Sequence, residues 1–303
     1  MERITPLMTS QTTISDLAAS YQQVATTGQE MSSGLAISQP SDNPYGASRV
    51  VELNGQLSQL TSYTGNINDG TAWLNTAGTA LSDINNSLQT VREIVVEASN
   101  GTMSQSELAS AATEVNQLIS SIKDSANTTY DGNYVFSGSA TQTPPYQSGS
   151  TDTYQGNAGT ITRSIGPNTD VQVNTNISQL LGSGTAAADG GLLDTLRTIS
   201  SDLQGGTSAN VASLSGTDLK NLDSNMSTLD NMQANVGALT DRMTLAASRI
   251  ADSQQTATTT LANTQDADLT ALATQYSSDQ AAFTAALKSG ASIVQNSLVY
   301  FMN

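Results

Sequence analysis

The first 35 residues place apolar side chains at a regular seven-residue spacing. Two such series stand side by side: Leu7, Ile14 and Tyr21, and Leu17, Val24 and Met31. Their alternating steps of three and four residues define heptad a and d sites, at which one helix packs along another. The pattern predicts an amphipathic N-terminal helix that has a helical partner.

A longer series with the same spacing follows in the next part of the chain. An aliphatic residue recurs every seven positions from Leu53 to Val95. A straight helix over this range would be about 60 Å long at about 1.5 Å per residue, far beyond the average helix of a globular protein. We therefore predict a helical rod. A shorter helix is predicted after a glycine break, with Ser104 or Ser106 as its N-cap.

The C-terminal part mirrors this organisation. A third seven-residue series runs from Leu222 to Ala257, and the spacing changes phase after Asp266 and Asp268. Because a heptad stripe cannot bury itself alone, we expect the two rods to pack antiparallel and the two terminal helices to lie side by side. Beyond the break, apolar residues continue at helical spacing to the end of the chain: Leu269, Leu272, Tyr276, Phe283, Leu287, Val294, Leu298 and Phe301.

The middle of the chain has a different pattern. YDGNYVFSG, residues 130–138, contains the Asp-Gly signal of a tight turn that leads into a short strand. Residues 139–190 contain many glycines and short alternating runs such as GTITRSI and DVQVN, which predict a small β-rich insert with few apolar anchors. LLDTLRTISSDLQGG, from Leu192, predicts a short helix that ends at its glycines.

These patterns together predict a mainly α protein with a small β-rich insert. Long antiparallel helical rods are expected, with the N- and C-terminal helices paired as a coiled coil. We predict three parts. Residues 1–36 and 268–303 form a discontinuous terminal coiled-coil domain, residues 37–136 and 191–267 form a discontinuous helical rod domain, and residues 137–190 form an insert that points outward.

The stretch SSGLAISQPSDNPYGAS, residues 32–48, lies between the first helix and the first rod. Gly34 suits the left-handed end of a helix, and Pro40 cannot continue one. Asn43 before Pro44 is typical of an N-cap followed by proline at the first helical position. The stretch is predicted to be a joint between two helical blocks, although its spacing alone also fits an ordinary interhelical loop. The alternative caps are Ser41 and Asp42.

Composition narrows the possible chemistry. The net charge is −16 with only ten Lys and Arg, so no basic cluster is available for nucleic acid or for an anionic membrane surface. The chain has no His and no Cys, which removes disulfides, thiolate metal sites and histidine bases. An enzyme would need carboxylates or a Ser–Lys pair, and Lys123, Lys220 and Lys288 lie in polar helical patterns without an accompanying motif. We therefore predict no catalytic, cofactor or metal site. Asp266 and Asp268 are interpreted as helix caps rather than metal ligands.

The start of the chain has no basic segment followed by an apolar run, the mark of a secretory signal peptide. No window approaches 18 consecutive apolar residues, the length needed for a spanning helix. We expect neither a cleaved signal nor a membrane contact.

Several motifs resemble those of the flagellin superfamily of bacterial flagellar axial proteins. SSGLAISQPSDNPYGAS is similar to the stretch that follows the first helix in that family, and VREIVVEASNGTMSQSE also resembles it. DGNYVFSGSATQTPPY, residues 131–146, closely resembles a run of the branch that joins hook and filament, and the following YQGNAGT fits as well. The likeness covers about the first 140 residues and returns from Leu222 to Asn303. Asn43 and Tyr45 depart from the family pattern, which has a commoner acid and a small residue there.

Two branches of the superfamily remain as alternatives. Flagellin polymerises into the filament, whereas the hook-filament junction branch forms one ring beneath it. Both prolines of QPSDNP, the combination of YVFSG with TPPY, and an ending that lacks the Gln-rich sequence typical of flagellins favour the junction branch. The resemblance therefore implies a structural component between hook and filament, with flagellin as the alternative.

The resemblance also implies partners and a location. The expected partners are neighbouring copies of the chain in a ring, the first hook-associated protein, flagellin, and a flagellar export chaperone at the C-terminal helix. The expected location is extracellular, on the bacterial flagellum, after type III export without a cleaved signal peptide. No cofactor is implied.

Three groups of residues form the candidate site. The assembly interface comprises the apolar residues of the two terminal helices, from Leu7 to Met31 and from Leu269 to Phe301, named above. The interdomain joint comprises Gly34, Pro40, Ser41, Asp42, Asn43 and Pro44. The family motif in the insert comprises Tyr134, Phe136, Gly138, Pro144 and Pro145.

Overall fold

The computed structural model describes residues 6–147, 149, 152–184 and 190–302, with side chains described from Met8 to Ser292. Within these ranges the chain is mainly helical with two small antiparallel sheets, which confirms the predicted fold class. The helices are α1 (Pro6–Ser33), α2 (Pro44–Ser99), α3 (Gln105–Ala126), α4 (Ser178–Leu181), α5 (Leu192–Gly205), α6 (Ser208–Ser213), α7 (Leu219–Gln265) and α8 (Leu269–Met302). The strands are β1 (Thr129–Tyr130), β2 (Asn133–Tyr134), β3 (Thr162–Gly166) and β4 (Thr169–Gln172), and a π-helical turn (Leu214–Asp218) connects α6 to α7.

Helix ends follow the local signals of the sequence. After α1, Gly34 adopts a left-handed conformation with a φ of 72°. Ser104 caps α3 in a capping box with Glu107. Gly206, with a φ of 58°, ends α5 as the double glycine predicts. These caps satisfy backbone groups that a helix end leaves unpaired.

The chain divides into two compact units, and the first comprises residues 1–59 and 252–303. In this unit α1 packs along α8 in the antiparallel direction. The rings of Tyr21 and Phe283 lie 5.8 Å apart, while Thr13, earlier in α1, lies beside Gly290, later in α8. The predicted pairing of the terminal helices is therefore confirmed.

The second unit comprises residues 60–251. Here the two long helices α2 and α7 run antiparallel, because Gly78 of α2 lies beside Val236 of α7 and Arg92, further along α2, pairs with Asp223, earlier in α7. α3 packs against α5. The antiparallel packing predicted for the rods is confirmed within this unit.

The heptad series of α2 supplies the centre of the second unit's core. Its aliphatic side chains are fully buried with those of α3, α5 and α7, and burial of each such side chain stabilises the fold by about 1.5–3 kcal/mol. The central residues include Leu74, Leu81, Leu88 and Val95 of α2, Val115, Ile119 and Ile122 of α3, Leu196 and Ile199 of α5, and Leu222 and Leu229 of α7.

The middle segment contains two hairpins. β1 pairs with β2 across Asp131 and Gly132, which both have positive φ as the Asp-Gly signal predicts. β3 pairs with β4. The prediction of few apolar anchors in the insert is wrong, because alternate residues of β4 and the segment after it turn inward. The anchors that join the core are Tyr146, Ile165, Val171, Val173, Ile177, Leu180 and Leu181.

Candidate functional site: the paired terminal helices, the joint and the insert motif

Glycines allow a close approach of α1 and α8 at two points of their contact. A β-carbon added to Gly28 would lie 3.3 Å from the ring of Tyr276, and one added to Gly290 would lie 3.2 Å from the Thr13 methyl group. The two helices therefore approach closely where their side chains are short. The buried or half-buried positions of α1 are Ser10, Thr13, Leu17, Ser20, Val24, Thr27, Gly28 and Glu30.

A buried polar contact lies within this helix pair. Thr27 is only 2% exposed, and its hydroxyl donates to Oδ2 of Asp279 at 2.8 Å. The side-chain amide of Gln275 donates to the other carboxylate oxygen at 2.8 Å. A polar pair in a helix seam is satisfied in one register and left unpaired in others, so this contact fixes how α1 and α8 align.

Several large apolar side chains of the helix pair remain exposed. Ile14 and Tyr21 are each 62% exposed, although the Tyr21 ring also contacts Phe283. Leu287 of α8 is 44% exposed. Met8 and Leu269 are also exposed. These side chains form an apolar surface on both terminal helices.

The structure therefore separates the predicted interface residues into three groups. Leu17, Val24, Leu272, Tyr276 and Phe283 are half-buried. The exposed members are Ile14, Tyr21, Met31, Leu269 and Leu287. The side chains of Leu7, Val294, Leu298 and Phe301 lie outside the described residues.

Hydrogen bonds from neighbouring residues organise the joint between α1 and α2. Asn43 accepts a hydrogen bond from the Gly46 amide at 3.0 Å, so it is the N-cap of α2, with Pro44 at the first helical position. Asp42 closes the preceding turn by accepting from the Ser38 and Gln39 amides at 3.0 and 2.9 Å. These hydrogen bonds hold the pKa of Asp42 below its ordinary value. Pro40 and Ser41 are exposed.

The joint pairs with the break between α7 and α8. The Ala36 amide donates to the Gln265 carbonyl at 2.7 Å, and the Ala267 amide donates to the Gly34 carbonyl at 2.9 Å. Asp268 caps α8 by accepting from the amides of Thr270 and Ala271, which confirms its interpretation as a cap. The two helix breaks thus form one short antiparallel contact.

The insert motif forms an internal clasp near the end of α3. Phe136 is fully buried, and its carbonyl accepts from the Tyr154 hydroxyl at 2.8 Å. Tyr146, which follows Pro145, is also fully buried and donates from its hydroxyl to the Gly182 carbonyl at 2.6 Å. Tyr134 donates its amide to the Thr141 carbonyl at 2.8 Å. Pro145 is buried and Pro144 is half-buried.

Gly138 is the tightest point of this clasp. It has a φ of 69°, and a β-carbon there would overlap the backbone carbonyl of Asn157. The Asn157 side chain accepts hydrogen bonds from the amides of Ser139 and Gly159, both at 2.9 Å. The carbonyl of Asn157 therefore has little freedom to move away.

We expect Gly138→Ala to destabilise the protein by about 3 kcal/mol, because it adds a backbone clash to the cost of a left-handed alanine. Gly132→Ala is the matched control, since Gly132 has a φ of 73° but no atom within 4 Å of its added β-carbon. It should cost about 1 kcal/mol. Urea unfolding of both variants measures the difference, and equal losses would show that the clash with Asn157 relaxes away.

A buried ionic cluster, which the sequence interpretation missed, lies between α3, α5 and the insert. The Lys123 ammonium contacts Asp152 Oδ1 at 2.9 Å and the Gly149 carbonyl at 2.8 Å. Arg197 Nε contacts Asp152 Oδ2 at 3.0 Å, and its guanidinium also donates to Asn116 at 3.1 Å. Burial alone would raise the pKa of Asp152, but the hydrogen bonds and charges of Arg197 and Lys123 outweigh it and hold that pKa below its ordinary value.

The described residues contain no group of three or more acidic side chains placed to hold a metal ion. No helix in the described part of the chain is long and apolar enough to cross a membrane.

Comparisons with known proteins relate this architecture to the bacterial flagellum. Residues 4–141 match the family model of the bacterial flagellin N-terminal helical region. Flagellar hook-associated protein 3 of Escherichia coli (strain K12) is 37% identical over 121 residues, which cover 39% of this chain and 38% of that protein. Flagellar hook-associated protein 3 of Salmonella typhimurium is 30% identical over 165 residues, which cover 54% of this chain and 51% of that protein. Flagellins are also among the relatives.

The match spans less than two thirds of either hook-associated protein. Among solved structures, a flagellar hook-associated protein from Vibrio parahaemolyticus aligns with a TM-score of 0.66 at 18% identity. This alignment covers 74% of the present chain and all of the other. At that identity the likeness establishes a shared fold of long helices with a small β insert.

Proposed function

We propose that this chain, whose residues 4–141 carry the bacterial flagellin N-terminal helical region, is a structural component of the bacterial flagellum at the junction between hook and filament. The observation that carries the proposal is the apolar surface on the paired terminal helices, where Ile14 and Tyr21 of α1 and Leu287 of α8 remain exposed. An apolar surface of this kind on a soluble protein marks a contact with another protein.

The partners follow from this surface and from the relatives. We propose that neighbouring copies cover the exposed side chains in a ring, each patch meeting a different patch on the next subunit. The first hook-associated protein would contact the ring on one side and flagellin on the other. Before assembly, a flagellar export chaperone would cover the apolar face of α8, and the chain would reach the outside of the cell by type III export without a cleaved signal.

We also propose a separate role for each of the three parts of the chain. Residues 1–36 and 268–303 would form the assembly domain, residues 37–136 and 191–267 the rod, and residues 137–190 an outward insert. The joint from Gly34 to Pro44 would set how the assembly domain meets the rod. The role is structural rather than enzymatic, since the chain has neither His nor Cys.

A seeded assembly assay tests the proposal. Purified protein would be added to hook fragments that already carry the first hook-associated protein, and the products examined by electron microscopy. We expect a short terminal collar that stops growing and then supports polymerisation of added flagellin. Hook fragments without the first hook-associated protein are the control and should remain bare.

Flagellin itself is the second candidate, because flagellins are among the relatives. Long filaments made of this protein alone in the same assay would establish that candidate and contradict the junction role. The insert motif favours the junction, since the likeness to that branch includes YVFSG with TPPY, and both parts of the motif are built into the clasp around Phe136 and Tyr146.

A further inference from the structure

Two acidic side chains face each other inside the second unit, outside the candidate site. Asp218, the last residue of the π-helical turn, is only 3% exposed. Its Oδ2 atom has no hydrogen-bond partner in the described part of the structure, and Asp202 on α5, which packs against this turn, acts on the carboxyl group through a side-chain hydrogen bond and a like charge. Two carboxylates in this position repel each other unless a proton or a cation lies between them.

Local structure forces the two groups together. Asn210 of α6 donates from its side chain to Asp202 Oδ1 at 2.6 Å, which holds one carboxylate in place. The π-helical turn contains one residue more than an α-helical turn. Leu214 and Asp218, at its two ends, are both buried. We call the segment from Asp202 to Asp218 the corner. Its buried side therefore includes one acid, Asp218.

Charges on the neighbouring elements do not neutralise the pair. α4 and α6, which pack against α5, contain no ionisable residue. Lys123 and Arg197 are engaged with Asp152, and Asp223 is engaged with Arg92. The other ionisable side chains on the packed helices and on the start of α7 are Glu93 and Glu97 at the end of α2, Glu107, Glu114 and Asp124 on α3, Asp194 on α5, and Lys220 on α7.

We propose that Asp202 and Asp218 form a proton-binding switch that keeps the corner from Asp202 to Asp218 closed when the pair holds a proton and loosens it when both groups are charged. A proton fits better than a cation, because the described residues around the pair supply two carboxylates and no third acidic ligand, whereas hard cations take six or more oxygens. The switch is independent of the proposed role at the junction.

The direction of the pH dependence follows from the raised pKa of Asp218. Burial, together with the hydrogen bond and the like charge of Asp202, raises the pKa of Asp218 from an ordinary 3.8 to about 6. A raised pKa stabilises the closed corner fully below the ordinary value, and this stabilisation is lost as the pH rises through about 6. Because each pKa unit corresponds to a factor of ten, the opening equilibrium should change by up to about 100-fold.

Hydrogen exchange of the full-length protein tests this switch. We expect the protection factors of backbone amides in residues 203–218, corrected for the intrinsic effect of pH, to fall by about tenfold from about pH 5 to about pH 8, which is the part of the full effect that lies above pH 5. Asp218→Asn places an amide donor where the proton would lie, so its protection should stay high at both values. Asp230→Asn removes the same charge from an exposed position of α7 and should behave like the unchanged protein.

A second variant and a direct readout complete the test. Asp202→Asn should weaken the pH dependence without abolishing it, because it removes the hydrogen bond and the like charge of Asp202 but leaves Asp218 buried. This variant keeps the test decisive if Asp218→Asn folds poorly. Carbon-13 NMR of the Asp carboxyl groups should show one resonance that titrates near pH 6 in the unchanged protein. This resonance should be absent in Asp218→Asn and should titrate at a lower pH in Asp202→Asn. Equal pH profiles for the unchanged protein and both variants would overturn the proposal. So would recovery of protection at high pH on addition of Ca²⁺ or Mg²⁺, because the pair would then bind a cation.

Discussion

Asp152→Ala is expected to lower the free energy of unfolding by about 3–5 kcal/mol, because it removes the carboxylate that the buried Lys123 and the half-buried Arg197 share. The Lys123 side chain is 4% exposed and that of Asp152 is fully buried. Loss of the carboxylate also removes the contact through which α3 and α5 both hold Asp152 of the insert. Urea unfolding at neutral pH measures the loss.

Asp170→Ala is the matched control for this prediction. Asp170 is an exposed carboxylate on β4 of the same insert, so its removal changes the net charge equally without uncovering a buried cation. A loss below about 1 kcal/mol for Asp152→Ala would contradict the argument, because that is the range of a solvent-exposed ion pair. It would mean that water reaches Lys123 and satisfies the ammonium.

Asp152 and Asp218 give the second unit opposite responses to pH. The pKa of Asp152 is held below its ordinary value of 3.8, so its contribution is present above that value and is lost as the pH falls below it. The pKa of Asp218 is raised, so its contribution is lost as the pH rises through about 6. The two groups therefore act in opposite directions, because a fall in pH weakens the contribution of Asp152 and a rise in pH weakens that of Asp218.

The long helices could be predicted because their burial is periodic. From Leu53 to Val95 every seventh residue is aliphatic, and each is buried, so one face of α2 is specified by spacing alone. The helix ends could also be predicted from local sequence, because Gly34 and Gly206 end their helices and Ser104 caps the start of α3. Such features need no knowledge of the rest of the chain.

The seam between α1 and α8 was predicted less well, for a physical reason. Heptad analysis gives equal weight to all large apolar residues of the stripe, from Leu7 to Met31. The structure half-buries Leu17 and Val24 but leaves Ile14 exposed. It also buries Thr27, a short polar residue to which the heptad gives no weight. A stripe of large apolar residues indicates that another helix packs on that surface. It does not show whether this helix belongs to the same chain.

Long-range polar contacts could not be predicted from spacing. Lys123 and Asp152 are 29 residues apart, and nothing near Asp152 marks it as buried. The available signal was the position of Lys123, one helical turn after the buried Ile119 on the apolar side of α3. The burial of Asp218 could not be predicted for another reason. A π-helical turn changes which residues face inward and breaks the 3.6-residue period.

Ile14→Asp is expected to reduce incorporation of the protein into hook–filament junctions by about 100-fold or more. Removing one buried aliphatic side chain costs about 1.5–3 kcal/mol, burying an unpaired carboxylate adds more, and each 1.4 kcal/mol corresponds to about tenfold in affinity. The monomer should keep its helices, because Ile14 is 62% exposed in it. Leu287→Asp should have the same effect from α8.

The control for this last prediction must add the same charge to the same helix. Ala19→Asp does so at an exposed position near Asp16, on a face of α1 that already carries an acid, and should assemble normally. Circular dichroism of the monomers and quantitative blotting of junctions from cells expressing each variant separate folding from incorporation.

Normal incorporation of Ile14→Asp and Leu287→Asp would show that the exposed apolar face is not the assembly contact. Loss of helix content in the monomer would instead mean that Ile14 stabilises the α1–α8 pair itself, which its high exposure argues against. The two readouts therefore distinguish a contact between subunits from a contact within one chain, the distinction that the spacing of apolar residues leaves open.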